Sequence, residues 1–399
     1  MKKNKRDIFF NNNIKGLMDN FLERSYKGYI RQQKIGYLTV NCLEKNILAF
    51  LFILFFLPLS IFSIFSKKKV VNNHILFIFS FSDKEPMNTI LKELDGSKSN
   101  RIIKYPKALP FLPQILLKDF LSILCKEPIW TIKNLDFFGA LSVKISKYYG
   151  YKKKYSISKL LLFQEYSFYS SYLTRIFEYE NGGLYNLMHG VPGREASYFR
   201  FTKCFVWSEY FKEYYIENSA EENQFIIAGS IFHSKLYNSI KNTSTSIKYD
   251  ILYAMQGDTH GDDNYVKEVF EVLEELYRTE KVRIAVKPHP IYSNKIDIPK
   301  NFDLLDSSPV EAILESNLIL SHFSTMLLDA KVVNKKVLAF LPEEKLHLVG
   351  YLNENEVVFD KQNLLNKIIF LLSKESNYLS DIVDPELNTV DIIERELLK

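Results

Sequence analysis

A few residues of this chain have types and spacings that could do chemistry on a phosphorylated ligand. Lys287-Pro288-His289-Pro290 follows directly on the apolar run Val282-Arg283-Ile284-Ala285-Val286. A β-branched run that stops at a proline-bracketed histidine predicts an imidazole at the carboxyl end of a buried strand, where open α/β sheets bind ligands. The prolines stiffen the turn and remove backbone donors, so Lys287 and His289 become its main donor groups. A lysine and a histidine fixed there suit a phosphate; the alternative is an ordinary turn with a solvent-facing histidine.

Three further constellations stand beside it. In Met188-His189-Gly190-Val191-Pro192-Gly193-Arg194, His189 follows an apolar run and precedes a tight turn. A histidine at a strand tip can serve as general base when its pKa lies near the working pH, or it can simply shape the turn. In Ser321-His322-Phe323-Ser324-Thr325, a strand runs into a helix whose first residues offer hydroxyls and free backbone N–H groups. That is an anion site, although Ser and Thr are more commonly plain helix caps. Gly257-Asp258-Thr259-His260-Gly261-Asp262-Asp263 has the look of metal chemistry, but its composition describes an exposed loop and a helix start equally well. No metal is inferred from it.

These groups need a scaffold, and the pattern supplies one. Apolar runs at His74–Phe81, Lys159–Tyr166, Leu184–Met188, Lys203–Trp207 and Gln224–Ala228 alternate with helical segments at Met87–Leu94, Ser167–Tyr179 and Glu209–Ile216. Lys241–Lys248 is small and polar, a linker signal. Beyond it the alternation restarts: strands at Asp250–Met255, Val282–Lys287, Leu318–His322 and Lys336–Leu341, with helices at Asp263–Glu280, Pro309–Glu315 and Ser324–Val332. This βαβα order implies parallel sheets in an α/β fold with two doubly wound, Rossmann-like domains. The expected domains are 70–240 and 241–399, facing a cleft in which a ligand would sit.

The first 69 residues read differently. Residues 1–46 hold ten Lys/Arg against four Asp/Glu, 46–66 carry no charge, and Lys67, Lys68 and Lys69 follow. Ile47–Phe65 is long enough to reach the lower limit for spanning a bilayer, but Pro58 and two serines weaken it. A helix lying on anionic lipid between basic flanks is an equally good expectation, and a buried core helix is the remaining one. Residues 70–399 are net acidic by four charges, so no nucleic acid polymer is expected as a partner. Cys42, Cys125 and Cys204 form no close pair, which fits a reducing compartment and neither a zinc site nor a disulfide framework.

The elements LLLFQEY, LYNLMHGVP, KCFVWSEYFKEYY, FIIAGS, VKPHP and SNLILSHFSTMLLDA, in this order, resemble those of bacterial GT-B-type transferases of surface polysaccharide. That group includes the CDP-glycerol glycerophosphotransferases, the capsular Kdo transferases and the bacterial sialyl- and polysialyltransferases. The resemblance covers about 160–345. It implies a GT-B-like pair of domains and transfer of a sugar from a nucleotide-activated donor, CMP- or CDP-linked, to a lipid-linked or polysaccharide acceptor. It implies His189 as base, and His289, Ser324 and Thr325, beside Lys287, on the donor phosphates. The sialyltransferase pattern uses an acid instead, matched only in part by Glu180-Asn181-Gly182; Glu165, at a strand end, is a second acidic candidate. No cofactor is implied. The expected place is the cytoplasmic face of the inner membrane, peripheral or single-span, with the anionic membrane surface as partner. Two alternatives stand: a polyol-phosphate transferase using a CDP-linked donor, and a non-catalytic membrane-bound component of capsule assembly or export.

Overall fold

The computed structural model describes residues 25–26, 29–30, 42–56, 58, 75–78, 102–103, 112–155, 157–163, 168–188, 190, 201–217, 221–241, 246–256, 263–289, 297–374 and 383–398. In chain order the first half comprises α1 (Cys42–Leu51), continued by a π turn at Phe52–Phe56, then β1 (Ile75–Ile78) and β2 (Ile102–Ile103). Three helices follow: α2 (Gln114–Lys126), α3 (Pro128–Lys133) and α4 (Leu135–Tyr155). Next come β3 (Lys159–Leu162), α5 (Ser170–Tyr179), β4 (Gly183–Leu187), β5 (Lys203–Val206), α6 (Glu209–Glu217), β6 (Phe225–Ile227) and α7 (Ile231–Lys241). The second half runs β7 (Tyr249–Ala254), α8 (Asp263–Thr279), β8 (Ile284–Lys287), β9 (Asp303–Leu304), α9 (Pro309–Leu314), β10 (Ser316–Ser321), α10 (Thr325–Val332), β11 (Lys336–Phe340), β12 (Val357–Val358), α11 (Lys361–Ser373) and α12 (Thr389–Leu398).

The strands make two all-parallel sheets, ordered β2-β1-β3-β4-β5-β6 and β12-β11-β10-β7-β8-β9. Central strands covered on both faces read as unbroken apolar runs, and β11 is buried at every position. Helices cover them through apolar stripes. In α8, Val266, Val269, Phe270, Leu273 and Leu276 recur at helical spacing and are buried, while the opposite face carries glutamates. Ser308 and Glu311 close a capping box at α9, and Asp360 caps α11. The α/β, two-sheet expectation holds, with shorter elements at several places. The strand from Lys159 ends at Leu162, and the next helix starts at Ser170. The expected helix at 87–94 lies outside the described residues.

Two features go beyond the sequence reading. The last helix, α12, does not cover the second sheet. Its Ile393 and Leu397 are buried with Leu161, Tyr185, Leu187 and Phe205 of the first sheet, and Lys159 donates to the carbonyl of Leu397 at 2.7 Å. The chain therefore crosses between the sheets twice, and the segment before α12 returns against the turn between β6 and α7. Gly229 has φ +71°, and a Cβ there would stand 3.0 Å from the Leu387 side chain.

The second feature is the apolar segment near the amino terminus. Among the described residues no helix is long and apolar enough to cross a membrane. Instead α1 lies on α4, and Phe52 is buried with ring centroids 4.9 Å from Phe120 and 5.7 Å from Phe138. The crossing is so close that a Cβ on Gly139 would stand 2.2 Å from the Leu48 carbonyl oxygen. Any side chain at 139 must push α1 outward. Gly139→Ala is expected to lower stability by about 1–3 kcal/mol, read as a lower urea midpoint; an unchanged midpoint would show that α1 is not held there.

Candidate functional site

The carboxyl edge of each sheet faces the other half of the chain. On the second sheet, β8 ends at Lys287, and its last backbone oxygen accepts from Met255 N at 3.0 Å. The Lys287 ammonium donates to the carbonyl of Ser307, just ahead of the α9 cap. Lys287 thus ties down the loop entering α9 while adding positive charge at the edge. His289 is half-buried, and burial lowers its pKa below the ordinary histidine value. It is therefore neutral at pH 7, a form that donates from one nitrogen and accepts at the other.

Ser324 caps α10, its Oγ accepting from Met326 N at 3.2 Å. Thr325 opens the helix and is exposed. Leu327 N donates to the Ser324 carbonyl at 3.1 Å, so the cap residue satisfies two N–H groups of this first turn, and the positive end of the helix dipole makes the edge anion-favouring. The preceding His322 has no capacity left for a ligand. Its Nδ1 donates to the Phe340 carbonyl at 2.6 Å, and its Nε2 accepts from the Tyr253 hydroxyl at 2.8 Å. Those two bonds fix a neutral tautomer inside the sheet edge.

On the first sheet the corresponding edge is the turn after β4. His189 lies outside the described residues, but the chain on both sides of it is placed. Met188 is buried; its N–H donates to Phe205 O at 3.0 Å, and its carbonyl accepts from Trp207 Nε1 at 3.2 Å. Gly190 reaches the other half of the chain: a Cβ on it would stand 3.8 Å from Thr325 Cγ2. The structure thus brings the turn that carries His189 against the first turn of α10, on whose sheet edge His289 also lies. Glu165 lies outside the described residues, as do 257–262.

Glu180 requires a correction. It precedes β4, whereas Met188 follows it, so Glu180 stands at the amino edge of the first sheet, roughly 15 Å of strand from Met188. Its carboxylate is occupied there, accepting from the Tyr149 hydroxyl at 2.8 Å and pairing with Lys152 Nζ at 2.8 Å. A short acidic-Gly match drew attention to Glu180, but the parallel topology keeps it away from the cleft.

Sequence reasoning missed the residues that hold the two edges together. Asp329 lies one turn beyond Thr325, on the same face of α10. Its Oδ1 accepts from Nε2 of His233 on α7 at 2.9 Å. His233 is only 2% exposed, and its ring packs edge-on to Trp207 with centroids 4.8 Å apart. At the far end of α10, Lys331 Nζ reaches both oxygens of Glu356 at 2.9 and 2.6 Å, and both residues are buried. The Glu356 carboxylate also accepts from Asn353 N at 2.8 Å. The i, i+4 pair Thr325/Asp329 was the available signal, but its partners are distant in sequence.

No protein-family model and no curated protein sequence matches the chain. Solved structures do resemble it. The UDP-GlcNAc 2-epimerase of Methanocaldococcus jannaschii, in complex with UDP-GlcNAc and UDP, superposes with a TM-score of 0.55 at 12% identity, over 81% of this chain and 99% of that one. The UDP-GlcNAc 2-epimerase of Neisseria meningitidis, bound to UDP-GlcNAc, gives 0.53 at 14% identity, over 82% and 99%. The S. aureus MnaA–UDP structure gives 0.55 at 12% identity, over 81% and 94%. At these identities the likeness is one of fold: a two-domain, GT-B-like pair of parallel α/β units.

The seam along α10 generates a thermodynamic expectation. Asp329→Ala leaves a buried imidazole without its acceptor and should lower stability by about 1–3 kcal/mol. His233→Ala should cost less in the Asp329→Ala background than in wild type, since the hydrogen bond is already gone and only the packing on Trp207 remains to be lost. Fully additive losses in denaturant unfolding would show that the two side chains do not couple.

Proposed function

We propose that the chain is a glycosyltransferase of bacterial surface-polysaccharide synthesis, moving a sugar from a nucleotide-activated donor to a hydroxyl of a glycan acceptor. The observation that supports this reading is the approach of Gly190, the residue after His189, to Thr325 in the first turn of α10. The GT-B-like fold is consistent with it, and the solved neighbours of that fold are described with UDP or UDP-GlcNAc bound.

The chemistry divides between the two edges. On the second sheet, the first turn of α10, the Ser324 hydroxyl, His289 and the charge of Lys287 would receive the donor phosphates. As the bond from the sugar anomeric carbon to phosphate oxygen breaks, its electron pair stays on the phosphate, and these donors stabilise the growing charge. On the first sheet, His189 would accept the proton of the acceptor hydroxyl as that oxygen bonds to the anomeric carbon.

A thermal-shift panel of CMP, CDP, UDP and GDP, followed by product analysis with a labelled nucleotide sugar, tests the reading. The matching nucleotide at a hundred times its dissociation constant should add about 2.7 kcal/mol of stability. His289→Ala should weaken that nucleotide roughly tenfold or more. His189→Ala should leave nucleotide affinity in place and lower turnover by about 100-fold or more. Conversion of the donor sugar without any acceptor would instead assign an epimerase, and transfer of a polyol phosphate from a CDP-linked donor would assign a phosphotransferase.

The buried state of His289 adds a pH signature. Its pKa is lowered in the free protein, and a bound phosphate would raise it, so donor binding takes up a proton. Affinity should therefore rise as pH falls from 8 toward 6, and this slope should vanish in His289→Ala. A wild-type affinity that is flat over this range would remove His289 from the phosphate site.

A further inference from the structure

Away from the cleft, helices α1 to α4 pack around one ring. Phe138 of α4 contacts Phe52 of the π turn, Phe120 of α2 at 5.1 Å and Trp130 of α3 at 6.3 Å. On their outer sides these same elements expose large apolar side chains. Phe50, Leu54 and Phe55 project from α1 and the π turn, Leu121 from α2, and Ile129 and Ile132 from α3, the last two 70% and 62% exposed. Ile129 and Ile132 stand at i, i+3 and so share one face of α3. Exposed apolar surface collected in this way marks a binding face.

The surrounding charge selects the occupant. Lys118, Lys126, Lys133 and Lys144 are exposed on α2, α3 and α4, and outnumber the exposed Glu44 of α1 and Glu127 before α3. In sequence, the apolar stretch is followed by Lys67, Lys68 and Lys69 and preceded by a segment rich in Lys and Arg. A second copy of the chain would bring the same cationic rim against itself, which is unfavourable. A phosphate-bearing lipid surface satisfies both the apolar face and the lysines. With Phe52 committed to the protein interior, α1 and the π turn lie along the helical layer.

We infer that α1, the π turn, α2 and α3 form one monotopic face that seats on an anionic bilayer, with Ile129 and Ile132 entering it beside the α1 segment. This inference does not rest on the reaction proposed above, because the assay needs no donor or acceptor.

The test is co-sedimentation of the full chain with vesicles of phosphatidylglycerol mixed with phosphatidylcholine, and with phosphatidylcholine alone. Deleting the amino-terminal residues would be a poor test, since Phe52 is part of the core; Ile129→Glu/Ile132→Glu alters only exposed positions. Binding to the anionic vesicles that weakens with salt, and falls roughly tenfold or more in the double variant with an unchanged melting curve, supports the inference. Equal binding by the variant overturns it, as does absence of binding to the anionic vesicles. A wild-type dimer that the variant converts to a monomer would assign the face to a second copy and overturn it as well.

Discussion

Lys331 and Glu356 are paired where water is excluded, and α10 is held between that pair at one end and the Ser324 cap at the other. Two charges buried in this way gain little over an apolar pair of the same volume, but removing either partner strands the other. The arrangement therefore acts as a positional constraint on α10. Because Asp329 and Thr325 share one face of that helix, fixing its axis also fixes its contact with His233 and the approach of Gly190. The anion-favouring first turn of α10, the turn bearing His189 and the sheet edge bearing His289 depend on one rigid element.

Both sheets are parallel, so among the described residues the helices that follow directly on a strand, α6, α7, α10 and α11, start at the carboxyl edge of their sheet, with the positive end of the dipole there. The contrast between two histidines follows from position along that edge. His322 is inside it, and both ring nitrogens are spent on Phe340 and Tyr253. His289 lies two residues past the end of β8 and is only half-buried.

Much of this was legible in the chain itself. Buried parallel strands are apolar at most positions, so β3 to β8, β10 and β11 stand out as short runs, and the helix α8 as a clear stripe. The strand-end rule then located His289, Ser324 and Thr325. Helices α2 to α4 were not read, because Leu135–Tyr155 mixes aromatics, glycine and lysines around the helix with no clean apolar face. Glu180 was drawn in by a two-residue match that carries no topological information. The Lys287 contact with Ser307 and the His233–Asp329 bond join residues far apart in sequence, where local pattern is silent.

The return of α12 to the first sheet has a consequence for how the protein is made. Leu161, Tyr185, Leu187 and Phe205 are covered by Ile393 and Leu397, so the apolar flank of the first sheet waits for residues synthesised after the whole second sheet. During translation the second unit can close on local contacts while the first remains incomplete at the ribosome. Its open flank is then a natural site for chaperone engagement, and a released chain truncated before Thr389 would leave that flank uncovered.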